Sequence, residues 1–355
     1  MNSIQSNKLI NNTRIWFWTL IFSLFMNLCS FASGSERLEL YFLSERILNS
    51  KIVPIQTVIQ FNNKSRTLGF EGLSAIPKQN YTVAINRSIF PIFAYSDNIN
   101  GGNLSQTIQI GELTFVGEED ANAKSGLIIG GGAFLGIKRQ YGRGKYLNVK
   151  INASLAGAPA HDWLQVRSES ITACSKNHIK EWMFFDTCAS WAHNKREFSN
   201  TINKSILASI TRLFRSEKRF HEGSFIVKRV ISDNYQQIQS TFTLTSLLPN
   251  GFKTNLHLTS GQDVKDFISL NYSAGISVQK LINKKPLSVS LKQTFYDGGM
   301  FLGADRQDST RQISISYPVY NGVNISMGYV KNESTINSFS YSGPLINMSL
   351  PSWSF

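Results

Sequence analysis

Charge is scarce in this chain. Only 17% of its 355 residues are charged, where a soluble domain usually carries about 25%. Cysteine is nearly absent, with three in all, which rules out a small disulfide-built scaffold. Long apolar runs are missing too. The run from Ile15 to Met26 falls short of the roughly 20 residues a membrane-spanning helix needs, and no stretch of 18 or more apolar residues occurs after Ser33. A helical membrane protein is excluded, which leaves a soluble fold or a barrel. The composition leans to the barrel, because 12% of residues are aromatic and Ser, Asn and Thr stand between single aliphatics. A wall that turns aliphatics to lipid has fewer places for surface charge.

The first 33 residues read as a secretory signal peptide: Lys8 and Arg14, the apolar run, then Ser30-Phe31-Ala32 with small residues for cleavage after Ala32 or Gly34. Bulky Leu28 ahead of Cys29 does not suit a lipid-attachment site. Removing Lys8 and Arg14 takes the formal charge from +13 to about +11. That charge is spread out rather than clustered. It suits loops and a lumen facing anionic headgroups or an acidic cargo, with no nucleic acid expected as a partner.

Period-two alternation dominates the C-terminal three quarters of the chain. Ile313, Ile315, Tyr317 and Val319 alternate with polar residues up to Asn321-Gly322, and Val323, Ile325, Met327 and Tyr329 resume the pattern. Asn-Gly supplies the two positive-φ positions of a type I′ hairpin turn. From Ile268 to Val278 one face is apolar for eleven residues, near the 9 to 11 that a tilted strand uses to cross a bilayer. Ile206–Phe214 fits a helix turn as well as a strand and is read as a strand from its neighbours. Counted this way, residues 81–355 form an all-β, antiparallel, up-and-down transmembrane barrel of the bacterial outer-membrane type, with 14 strands, or 12. Residues 34–80 lack sustained alternation and hold Pro54 and Pro77. They read as a periplasmic arm or plug. The partners this implies are outer-membrane lipids and the barrel-assembly machinery.

The final strand has a parity problem. Trp353 and Phe355 share parity with Phe339 and Tyr341, whereas Ile346, Met348 and Leu350 lie on the other, and Pro351 interrupts the ladder. A bulge near Gly343-Pro344 would repair it.

No pattern calls for catalysis, a cofactor or a metal. Gly130-Gly131-Gly132 and Gly136 have neither the helix nor the acidic partner of a dinucleotide loop. They suit a wall pressed by bulky lumenal groups. His161, His178, His193, His221 and His257 stand without nucleophile-elbow spacing. Glu118-Glu119-Asp120 reads as a solvated loop as readily as a calcium ligand set. Cys174 and Cys188 are open to a disulfide or to two lumenal thiols. Lys138, Arg139, Arg143 and Lys145 would line a lumen that favours anions.

Two groups of residues go beyond a generic barrel. Ser96-Asp97-Asn98-Ile99-Asn100-Gly101-Gly102 and Asp120-Ala121-Asn122-Ala123-Lys124-Ser125-Gly126 resemble the S-x-N-x-N-x-G and D-A-x-A-x-S-G elements that flank the first barrel strands of the surface lipoprotein assembly modifier (Slam) family. Arg306-Gln307-Asp308, Gly322–Tyr329 and Asn332–Ile336 are similar to that domain's closing strands. The resemblance covers roughly Tyr81 to Phe355. It implies translocation or surface display of lipoproteins or other exported proteins, with Asp97, Asn98, Asn100, Gly102, Asp120, Ser125, Arg306 and Asp308 as candidate contributors. These residues serve equally as turn-shaping groups. The best-known family members carry a periplasmic tetratricopeptide-repeat domain. This chain shows no 34-residue helical repeat, so the resemblance calls for a separate periplasmic partner. The alternative from the residues alone is a passive pore for small, anionic solutes.

Overall fold

Strict alternation puts every second side chain on one surface of a sheet, and a sheet with one greasy surface must bury it or turn it to lipid. The computed structural model describes residues 34–70, 83–102, 106–110, 113–116, 118–249, 251–283, 285–301, 303–320 and 323–354. The signal-peptide segment and the Asn321-Gly322 turn lie outside them. The sheet runs β1 (Val83–Ser96), β4 (Gly126–Gly142), β5 (Lys145–Ala158), β6 (Leu164–Lys180), β7 (Met183–Lys195), β8 (Asn200–Ser216) and β9 (Arg219–Ser232). It continues through β10 (Gln236–Leu247), β11 (Phe252–Gly261), β12 (Ser269–Ile282), β13 (Lys285–Phe301), β14 (Ala304–Tyr320), β15 (Val323–Ser334) and β16 (Tyr341–Ser349). Each strand pairs antiparallel with the next, and β16 returns to β1. Fourteen staves thus close a barrel. A small hairpin of β2 (Thr107–Ile110) and β3 (Leu113–Val116) sits in the long β1–β4 connection.

Outward positions carry Ile129, Leu155, Ile171, Ile206, Phe225, Phe242, Leu258, Ile276, Leu291, Ile313 and Met327, all exposed. Such a band holds a barrel in the outer membrane of a bacterium. One end of the barrel has tight turns, several with a residue in the left-handed region: Gly144, Glu181, Glu217, Gly251 and Asn283. The other end has the longer loops. Short turns face the periplasm in barrels of this kind and long loops face outward.

Boundaries differ from the alternation reading in places. Alternation alone does not place the β6–β7 turn, which falls at Glu181-Trp182 because β6 keeps pairing with β5 as far as Asn177. No irregularity occurs at Gly343-Pro344, where β15 and β16 pair without a break. The shift comes at Pro351 instead. Ser349 lies opposite Ile92, whereas Trp353, in the short β17 (Trp353–Ser354), lies opposite Ile89. Four residues on the last strand therefore span three on β1. This bulge flips parity and turns both Met348 and Trp353 outward, as proline permits only at an edge or a bulge.

The glycine run has a steric cause. The ring of Phe90 lies where a Cβ on Gly132 would stand, and a Cβ on Gly130 would overlap the Leu155 carbonyl oxygen. The obstacle at Gly130 is backbone, which cannot rotate away. Gly130→Val is expected to cost at least ~3 kcal/mol, the upper range for overpacking, and to leave most of the protein without the heat-modifiable gel mobility of a closed barrel. Wild-type mobility would contradict that close approach.

Candidate functional site: a cationic lumen closed by two helices

Helix α1 (Gly34–Leu48) and helix α2 (Ile55–Thr67) lie inside the barrel toward the tight-turn end. Leu38 and Tyr41 of α1 form a core with Phe184 and Leu213 of the wall, with Trp182, Phe220 and Leu247 packed against it. Leu40 and Leu68 meet Tyr146 on another side. Lys64 bonds Glu39 at 2.7 Å and ties the helices together. At the end of α2 the Gly69 carbonyl accepts from Gln140 Nε2 and from the Gly144 backbone, each at 2.7 Å.

The strongest tie is electrostatic. Arg37 reaches the wall and donates to both carboxylate oxygens of Asp186, at 2.9 and 2.8 Å. Its guanidinium lies 4.1 Å over the Phe184 ring. Lys176 adds a third bond to Asp186, at 3.0 Å. Burial alone would lower the Arg37 pKa, but the bond to Asp186 and its charge outweigh that and raise it. Glu222, 5% exposed, stands in the field of Arg37, Lys253 and Lys176. Nearer the periplasm, Glu45 of α1 takes Arg215 at 3.1 Å.

Because Asp186 meets a helix inside the barrel, its parity marks the lumenal face of β7, and the register carries that face round the wall. Lys176 is opposite Asp186, Tyr146 opposite Lys176, and Asn148 opposite both Cys174 and Lys138. Onward, Ser209 is opposite Asp186 and Ile226 opposite Ser209, which brings Lys228, across from Gln239, to the lumen. His257, Gly275 and Lys292 continue in register. The strand lysines facing the lumen are therefore Lys138, Lys150, Lys176, Lys228, Lys253 and Lys292. Among the described residues the facing strand carboxylates are Asp186, Glu222 and, at the loop end, Asp308. Of the four cations named from the sequence, only Lys138 faces the lumen. Arg139 has outward parity, Arg143 lies in the turn, and Lys145 is one position out of phase with lumenal Tyr146. Cys174 and Cys188 are direct cross-strand neighbours on this face, bonded through sulfur with Cα atoms 4.1 Å apart.

The residues of the family resemblance gather at the opposite, loop end. Asn98 accepts from the Gly101 and Gly102 amides at 2.9 and 3.1 Å and donates to the Gly102 carbonyl at 2.7 Å. Asn100, fully buried, accepts from the Lys124 amide at 2.9 Å and donates to the Asn122 carbonyl at 2.8 Å. Gly101 has φ +80°, and its Cβ position is within 3.0 Å of Ser199 Oγ, so glycine is required there. The two motifs thus form one folded unit, which Arg196 holds by donating to the Asn98 carbonyl at 2.5 Å. Burial lowers the Arg196 pKa to about 10 and raises that of Asp97. Asp120 sits exposed on a single helical turn, and the Ser125 carbonyl meets His161 Nε2 at 2.9 Å. Arg306 and Asp308 form a buried two-bond ion pair, at 3.1 and 2.6 Å, with the guanidinium 3.6 Å over the Phe339 ring. Asp97 and this pair converge around Tyr341 and Gly343. Asp120 and Ser125 are not part of that convergence.

Sequence pattern alone does not single out Arg37, Asp186 or the lumenal lysines beyond Lys138. The lysines are within its reach, since each holds a polar-phase position in an alternating strand. The Arg37–Asp186 pair spans 149 positions and leaves no local trace.

No family model and no curated protein sequence matches the chain. Among solved structures it is similar to OpdO of Pseudomonas aeruginosa, at 8% identity and TM-score 0.41 over 77% of this chain and 97% of that one. It is also similar to the outer membrane protein opdK of that organism, at 8% and 0.40 over 77% and 99%. OccK10 (OpdN), again from Pseudomonas aeruginosa, gives 6% and 0.41 over 78% and 100%. A likeness at that level adds nothing on function.

Proposed function

We propose that this barrel is a passive outer-membrane pore for small anionic solutes, closed at its periplasmic mouth by α1 and α2. One observation carries the reading: six strand lysines face the lumen while Asp186 is already engaged by Arg37 and Lys176. A low-dielectric wall with an excess of one sign focuses its field on the passage and enriches the opposite ion. The pair of helices supplies the gate, since it is held by a few polar bonds and a modest apolar core. No covalent chemistry is required of any residue.

Reversal potentials in planar bilayers under a salt gradient test this. Wild-type protein is expected to prefer chloride over potassium. Replacing Lys150, Lys228 and Lys292 together with glutamate is expected to invert the preference, by about tenfold or more, the low end of what field focusing achieves. Equal permeability to both ions in wild type would defeat the proposal.

A second reading keeps the lipoprotein role that the family resemblance implies, and one observation favours it. The barrel's seam is short. β1 meets β16 over three residue pairs and β17 over two, whereas it meets β4 over fourteen. A seam of that length is the cheapest place for a polypeptide to pass or fold against. Protease shaving of intact cells with and without the gene tests it: a lipoprotein that loses surface exposure while staying in the envelope supports delivery, and an unchanged pattern removes it.

A further inference from the structure

On the lipid side of the wall, β1, β4 and β5 enclose a groove of about 470 Å³ lined by Ile89, Ala133, Leu135, Ile151, Ala153 and Arg87. The small side chains of Ala133 and Ala153 make the depression between larger aliphatics. No acidic residue lines it, and among the described residues Arg87 has no ion-pair partner. A lone guanidinium on a lipid-facing wall calls for an anion from the membrane itself. Its depth agrees: Arg87 is two residues to the periplasmic side of Ile89, whose partner across the seam is outward-facing Trp353. Tryptophan marks the level where headgroups begin.

We infer that this groove seats an anionic phospholipid of the periplasmic leaflet, its phosphate on Arg87 and an acyl chain along Ala133 and Ala153. The charge of the arginine and the apolar lining match the two ends of such a lipid and of nothing soluble. The location gives the lipid a role. Among the described residues, Val83–Arg87 of β1 has no strand partner on its seam side, so a lipid whose headgroup sits on Arg87 borders the open stretch of the seam.

The test is native mass spectrometry of the full protein in non-ionic detergent, titrated with phosphatidylglycerol or phosphatidylcholine, with heat-modifiable mobility confirming that each variant is folded. Wild type is expected to retain one phosphatidylglycerol in preference to phosphatidylcholine by about fivefold, the effect of one basic side chain at an anionic lipid surface. R87Q should abolish the preference. A153W should fill the groove and lose both lipids. R139Q removes an outward cation outside the groove and should bind as wild type does. Equal retention of the two lipids, equal loss in R87Q and R139Q, or a lipid-resistant dimer that A153W dissociates would each overturn the assignment.

Discussion

Replacing Arg37 with alanine is expected to release the helical pair from the lumen and raise single-channel conductance several-fold. Asp186 lies in a buried site and keeps Lys176 as its one counter-charge, with a long bond from the Asn177 amide, when the guanidinium is gone. Removing one partner of a buried ion pair typically costs 3–5 kcal/mol, and retention of Lys176 puts this case near ~3 kcal/mol, roughly a hundredfold in the docking equilibrium. Packing of Leu38 and Tyr41 against Phe184 and Leu213 remains, so the helices are expected to exchange between docked and free states. Conductance should then flicker between a low and a high level. Asp186→Asn should act in the same direction, and exchanging the two charges should restore a part of the closed state. Conductance indistinguishable from wild type in both single variants would mean that the pair does not hold the gate.

Asp308→Ala is the second large effect, and it falls on the loop end. The substitution leaves Arg306, 3% exposed, against the face of Phe339 without its ion-pair partner. An unpaired buried guanidinium costs ~3–5 kcal/mol, more than the surrounding turn can absorb. The bonds that tie that turn to the pair's own strands include Thr310 to Asn332 at 2.6 Å, Asn332 to the Phe339 carbonyl at 2.8 Å, and Thr335 to the Asp305 carbonyl at 3.0 Å. Amide exchange over residues 335–340 is expected to accelerate about a hundredfold or more, while the β7–β10 wall keeps its protection. The double replacement Arg306→Met with Asp308→Leu should recover most of the loss, because apolar substitutes need no counter-ion. If single and double variants exchange alike, the pair is more solvated than its geometry indicates.

How far the sequence discloses this molecule depends on which force shapes each part. Lipid imposes alternation, so the wall is legible: the polar–apolar run ending at Val278 forms β12, and the runs flanking Asn321-Gly322 form β14 and β15. Within the first of these, alternation assigns Ile268 and Leu270 to the lipid face, yet Ile268 is buried and the register shifts between Leu270 and Tyr272. A bulge adds one residue without changing composition, so it is silent in a period count. The same holds for Pro351, where the parity conflict is visible and its position is not. Helix α1 is hidden for another reason. Leu38, Leu40, Tyr41 and Leu43 are buried on several sides of one helix, because a helix inside a barrel meets wall or neighbour all round and shows no single apolar stripe. The asparagines of the first loop stand out as motif residues. Their partners at Lys124, Asn122 and Arg196 show that these asparagines help build the loop.

The points at which the helices grip the wall also set a timetable. Those anchors lie between β4 and β10: Gln140, Tyr146, Lys176, Asp186, Leu213, Arg215, Phe220 and Leu247. None requires β1 to have met β16 and β17, the pairings with the greatest sequence separation and the shortest ladders in the wall. Contacts that span the whole chain are entropically the slowest to form. A half-built sheet therefore already offers α1 and α2 their complete berth, and the closing strands arrive around helices that are in place.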